Sequence, residues 1–173
     1  MCLRMIASNE RILADNAKNE NVMDAIDRKI VRALQENARL SNQDLSERVG
    51  LSPSPCLRRV RALERRGVLG GYTALVDQEK YGLPLNVFVE IKMERPSDAL
   101  IRGFEAGIAR ADEILECYLM TGSSDYLLHV VSASLQDYEN FIRNVLTKLP
   151  GVRSIDSKFA FGQVKKNTVF PPG

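Results

Sequence analysis

Between Asp24 and Gly67 three short amphipathic helices follow one another, and the punctuation between them leaves little freedom in how they join. In the first, Ile26, Ile30 and Leu34 recur every four residues with Val31 beside them, one helical stripe. Asp24 and Asp27 sit in its first turn, where the helix dipole favours acids. Ser41 opens the second helix with Asp44 as a capping pair, Leu45 and Val49 form its apolar face, and Gly50 stops it with the positive φ of a sharp turn. Ser52-Pro53 starts the third, with Ser at the cap and Pro at the first position. Cys56, Val60 and Leu63 share its inner face, Leu57 lies at the edge, and Gly67 ends it. Ser46, Gly50 and Cys56 then stand four and six apart: a small residue for close helix packing, a glycine for the turn, a medium apolar anchor. This is the spacing of a helix-turn-helix.

The opposite face of the third helix carries Ser54, Arg58, Arg61 and Arg65, with Arg59 and Arg66 on its flanks. Long, fully ionised side chains on one helix face suit a major groove, where Arg pairs bidentately with guanine or clamps phosphate oxygens. In this motif the N-terminal residues of the recognition helix reach bases. Ser54 and Arg58 are therefore candidates for base edges and Arg59, Arg61 and Arg65 for phosphates. Ser41, Asn42, Ser52 and Pro55, at the starts of the second and third helices, complete the candidate DNA-facing set. The competing reading is an ordinary solvated basic helix. Charge sides with DNA: ten basic against six acidic residues between Asp24 and Gly70, but eight against eleven between Asn86 and Gly162.

The second half alternates strands and helices. Val87–Met93 reads as a strand, and Ser97 caps a helix holding Leu100, Phe104 and Ile108. Ile114–Met120 and Tyr126–Val131 are strands joined by the turn Thr121-Gly122-Ser123-Ser124. Leu135–Leu149 is a helix broken by Pro150-Gly151, and Val152–Phe161 is the last strand. The order βαββαβ is that of a ferredoxin-like α+β unit. The expected layout is an extension over 1–22, a three-helix domain over 23–71, a linker over 72–85 with a strand at Tyr72–Val76, the βαββαβ domain over 86–162 and a tail over 163–173. Four strands with helices on one side leave the other face bare, which invites a second copy.

Three runs carry a family resemblance: LSPSPCLRRVRALERRGVLGGYTALVD (51–77), ECYLMTGSSDYLL (116–128) and LPGV (149–152). From about Asp24 onward the chain resembles the Lrp/AsnC family, the feast/famine or leucine-responsive transcriptional regulators. The resemblance implies a winged helix-turn-helix joined to a ligand-sensing domain. It implies homodimers built by the ligand domains, assembling to tetramers or octamers on double-stranded DNA. It also implies a small effector, an amino acid, held between ligand domains. On this reading the turn Met120, Thr121, Gly122, Ser123, Ser124, Asp125 with Tyr126 forms one wall and Lys158, Phe159 and Ala160 the other. Backbone N–H groups of the turn would hold a carboxylate, and Asp125 or a nearby acid the ammonium. Many members have Gly-Asp where this chain has Gly122-Ser123.

Other chemistries have little material. One His and three scattered cysteines (Cys2, Cys56, Cys117) without a C-x-x-C offer no metal site or disulfide framework and suit a reducing cytoplasm. No uncharged apolar run approaches the roughly 18 residues of a membrane span. No catalytic residue, cofactor or metal is assigned. The alternatives are a tetrapyrrole-modifying enzyme on the same scaffold, as in sirohaem decarboxylases, and an effector-sensing oligomer without DNA binding. His129 is expected to be a packed or surface side chain rather than a ligand, Cys117 to be packed, Cys56 to be a small buried anchor, and Lys165 and Lys166 to lie in a solvated tail.

Overall fold

The structure is a computed structural model that describes residues 23–94 and 97–171. The extension expected over residues 1–22 lies outside them. The chain divides into two compact units, one taking in the segment up to Ala74 together with residues from Asn167 onward, the other running Leu75–Lys166.

The first unit is built from α1 (Ala25–Glu36), α2 (Asn42–Val49) and α3 (Pro53–Arg65). Asp24 caps α1 by accepting the Asp27 N–H, and Ser41 caps α2 by accepting the Asp44 N–H at 3.1 Å. Gly50 closes α2 in the left-handed region, φ 75°, where any side chain would be strained. Ile30, Ala33, Leu34, Leu45, Val49, Cys56 and Leu63 pack into one buried cluster. Ser46 is buried too, its hydroxyl donating to the Gln43 carbonyl at 2.8 Å, so α3 can approach α2 closely. The small residue, the turn glycine and the apolar anchor thus hold the places their spacing implied.

The second unit contains β1 (Leu85–Met93), α4 (Asp98–Ile108), β2 (Ile114–Leu119), β3 (Tyr126–Ser132), α5 (Leu135–Asn144) and β4 (Val152–Phe159). The strands form one antiparallel sheet in the order β2-β3-β1-β4. Val87, Val89, Ile91 and Met93 of β1 join Leu128 and Val130 of β3, Phe104 and Ile108 of α4, and Tyr138 and Phe141 of α5 in the core. Phe88, Glu90 and Lys92 alternate with the buried β1 residues and therefore stand on the other face, the period of two that a sheet covered on one side requires.

Three expectations are corrected. Tyr72–Val76 forms no strand: these residues are exposed, and no strand of the described chain pairs with them to supply a ladder. The Tyr72 hydroxyl instead donates to Glu64 Oε1 at 2.9 Å. The last helix does not reach Leu149. It ends at Asn144 and tightens into a 3₁₀ turn over Leu146–Lys148, which buries Leu146 completely. Leu149 is extended, as the residue before a proline must be. The last strand stops at Phe159 rather than Phe161, because β1 begins at Leu85 and the Ala160 N–H to Asn86 carbonyl bond is the last rung.

The tail also differs from a purely solvated segment. Gln35 on α1 donates from Nε2 to the Thr168 carbonyl at 3.0 Å and accepts the Phe170 N–H on Oε1 at 3.3 Å. Lys165 and Lys166 are exposed, as expected.

Candidate nucleic-acid interface and effector turn

Helix α3 is anchored by Cys56 and Leu63, both without solvent contact, and this points Ser54, Arg58, Arg61 and Arg65 outward. Arg58, Arg61 and Arg65 make no hydrogen bond or ion pair among the described residues. Three adjacent unneutralised guanidiniums on a rigid helix are an anion-binding surface.

Arg59, expected at a phosphate, is paired with two acids in the structure. Its Nη1 lies 2.7 Å from Asp24 Oδ2 and 2.7 Å from Asp27 Oδ1, so α1 holds it away from the exposed array. The Asp27 and Asp24 bonds push the Arg59 guanidinium above its ordinary range. The Asp27 N–H and the Arg59 bond together hold the Asp24 carboxyl below its own. Arg66 sits on the same flank, its Nη1 3.8 Å from Asp27 Oδ2.

At the helix starts, Ser41 donates to Asp44 Oδ2 at 2.6 Å. The Asn42 amide donates to the Pro53 carbonyl at 2.9 Å, tying α2 to the start of α3. Asn42 Oδ1 is buried with no hydrogen-bond partner among the described residues. Ser52 is the N-cap residue of α3, but its hydroxyl makes no capping bond. Ser52 and Ser54 are exposed and Pro55 half-buried.

In the second unit the turn between β2 and β3 presents Met120, Thr121, Gly122 and Ser123 to solvent, with Ser124 half-buried. Gly122 has φ 113°, open only to glycine at low cost. Asp125 is already engaged. Its Oδ2 accepts the Met93 N–H at 2.8 Å, its Oδ1 lies 3.5 Å from Lys92 Nζ, and its own N–H donates to the Ile91 carbonyl at 2.8 Å. It therefore locks the turn onto the end of β1. Tyr126 is buried, its hydroxyl donating to Glu105 Oε1 at 2.9 Å; burial, first, and that carboxylate push the phenol well above its usual range.

The other wall is elsewhere. Lys158 pairs with Glu90 and lies 3.6 Å from Asp156 Oδ2, and Phe159 packs edge-on against Tyr138 with centroids 5.3 Å apart. Tyr126 pairs with Ile91 on one side of β1, whereas Phe159 pairs with Val87 on its other side. Four residues along β1 separate those rungs by about 13 Å. Within one copy the two expected walls do not meet.

His129 is half-buried, stacked on Phe88 at 4.9 Å with Nε2 2.8 Å from Asn86 Oδ1 and Nδ1 3.9 Å from Glu116 Oε2. Cys56 is buried, and burial pushes its thiol up. Cys117 is exposed rather than packed, because β2 is an outer strand. Among the described residues no group of three or more His, Cys, Asp or Glu could hold a metal, and no helix is long and apolar enough to cross a membrane.

What the sequence reading missed is the use of acids as tethers: Asp24 and Asp27 on Arg59, Asp125 on β1. A signal existed for the first. Arg59 and Arg66 are seven residues apart, two turns along one stripe of α3, and Asp24 and Asp27 share a turn of α1.

A helix-turn-helix with an exposed arginine face, on the same chain as a one-sided βαββαβ unit, defines a DNA-binding regulator that carries its own sensor domain. Residues 23–69 match the family described as winged helix-turn-helix DNA-binding, and residues 86–170 match the Lrp/AsnC ligand binding domain. The chain is 42% identical over 149 residues to the leucine-responsive regulatory protein of Haemophilus influenzae, covering 86% of this chain and 90% of that protein. It is 42% identical to the Bkd operon transcriptional regulator of Pseudomonas aeruginosa, covering 86% of this chain and 97% of that protein. A transcriptional regulator from Neisseria meningitidis solved in complex with L-Met superposes with a TM-score of 0.83 at 37% identity, over 87% of this chain and 97% of that one. The chain belongs to the Lrp/AsnC family of transcriptional regulators, and its relatives are named as regulators, not enzymes.

Proposed function

We propose that the chain binds double-stranded DNA through α3 as a homodimer, assembling further to a tetramer or octamer in the cytoplasm, and that an amino acid bound between sensor units of different copies controls it. The observation that carries the DNA reading is the set of exposed guanidiniums of Arg58, Arg61 and Arg65, unpaired among the described residues, beside Ser54. Ser54 and Arg58, near the start of the helix, read base edges; Arg61 and Arg65 meet phosphates. A two-fold dimer would present two such helices to half-sites about 34 Å apart or a multiple of that.

The effector reading rests on the turn and on the separation of its two expected walls. A small molecule touching both Gly122 and Phe159 needs them from different copies, which supports a shared site and links binding to assembly. With Asp125 occupied by Met93 and Lys92, the ammonium partner comes from another acid. The Neisseria regulator's complex with L-Met supports an apolar amino acid.

Thermal shift with the twenty amino acids, followed by anisotropy of a labelled duplex with each hit, tests both halves. A ligand binding only the native state raises the melting point. One or two apolar amino acids are expected to raise it and to change duplex affinity. A flat panel refutes the amino-acid sensor, and failure to retard any genomic fragment leaves an oligomeric sensor without DNA binding.

A further inference from the structure

Resting on that DNA-binding reading, we propose that Arg59 is a positioning residue, clamped by Asp24 and Asp27 of α1, that sets the rotation of the recognition helix about its own axis. Apolar burial sets that rotation only coarsely. Cys56 and Leu63 turn the arginine face outward, but a buried stripe roughly 100° wide leaves the helix play about its axis, because hydrophobic contact is itself non-directional. A guanidinium held by two carboxylates is directional. At about 100° per residue Ser54, Arg58, Arg61 and Arg65 cluster on one side of α3, and Arg59 with Arg66 lies about 130° round from them. Tethering that flank to α1 turns the exposed arginines toward the duplex.

The Asp27 half of the clamp is part-buried, whereas Asp24 lies at the surface. The Asp27 side chain is 11% exposed and receives Arg59 on Oδ1, with Arg66 3.8 Å from Oδ2. Asp24 accepts Arg59 on Oδ2 while its Oδ1 accepts the Asp27 N–H at 2.8 Å, so the carboxylate that caps α1 also orients α3. Cap and clamp reinforce each other, since each immobilises the same side chain. Nη1 of Arg59 is committed to both carboxylates, which leaves a phosphate only the remaining N–H groups.

The two roles predict opposite signs. The probe is a labelled duplex that the wild-type chain enriches from a random library, with affinity read by anisotropy across a salt series. As a positioning residue, Asp27→Asn weakens duplex binding about tenfold, the loss of one charge-assisted bond, with the slope of log affinity against log salt unchanged. Arg59→Gln weakens it equally and leaves the slope intact, and the double variant is no worse than either alone.

The proposal is overturned if Asp27→Asn binds as well as or more tightly than wild type, or if Arg59→Gln lowers the slope by about 0.9, the mark of a lost phosphate contact. Should Asp27→Asn fail to fold by circular dichroism, the salt slope of Arg59→Gln decides. A wild-type chain that enriches no duplex sinks the DNA-binding reading itself, whereas these variant outcomes sink only the positioning role.

Discussion

Removing Arg61 and Arg65 together tests how many charges the recognition helix brings to DNA. Of the five arginines between 58 and 66, the structure takes Arg59 and Arg66 out of the exposed set by pairing them with Asp24 and Asp27. Arg58 is assigned to a base edge, which leaves two phosphate contacts per helix. Each released counterion contributes about 0.9 to the salt slope, so Arg61→Ala/Arg65→Ala should flatten it by about two per engaged helix, or about four for a dimer on two half-sites. Between 50 and 200 mM salt a slope change of two alters affinity about fifteen-fold, well within the reach of anisotropy titrations. The double variant should bind all duplexes more weakly and alike, while Arg58→Ala should instead change which sequences are preferred. Neither side chain touches the core, so melting temperatures should stay near wild type. A slope reduced by less than about one, with the fold intact, would refute the assignment.

Other consequences follow from the packing. Leu63→Ala, at a position without solvent contact, should cost about 2–5 kcal/mol in urea unfolding. Gln35→Ala removes both bonds to the tail and should speed amide exchange at Phe170, with about 1 kcal/mol lost in stability. The raised Tyr126 phenol contributes stability below pH 10, its ordinary value, that is lost as pH rises beyond it. Chemical denaturation across the alkaline range should therefore show a decline that Tyr126→Phe flattens. The lowered Asp24 carboxyl acts with the opposite sign. Its contribution is present above its ordinary value of 3.8 and is lost as pH falls below it, so Asp24→Asn should flatten the acid limb of the same curve.

How much of this was legible depended on whether the information was local. Periodicity and caps located α1 to α3, because Ile30, Leu34 and Leu45 repeat at helical spacing and Asp24, Ser41 and Gly50 mark ends through bonds to their own neighbours. The β-like run Val87–Met93 likewise announced β1, while its buried face emerged from the fold. What local pattern could not supply involved a partner distant in sequence. Arg59 looks like Arg58 and Arg61 until α1 brings Asp24 and Asp27, more than thirty residues away, beside it. Nothing near Asp125 in the sequence shows that the Met93 N–H, thirty-two residues off, bonds to it. Tyr72–Val76 has the composition of a strand, but strand formation depends on what lies alongside. The shortened α5 was legible in part, since Pro150 forbids helix at Leu149, yet the turn that buries Leu146 depends on space beneath it in the core.

The clasp of Gln35 on Thr168 and Phe170 has a practical reach. The DNA-binding unit is stitched from two stretches of chain with the whole sensor between them, so no single uninterrupted excision reproduces it. A fusion partner or affinity handle attached after Pro171 would follow residues bonded to α1 and should be cleaved before binding constants are measured.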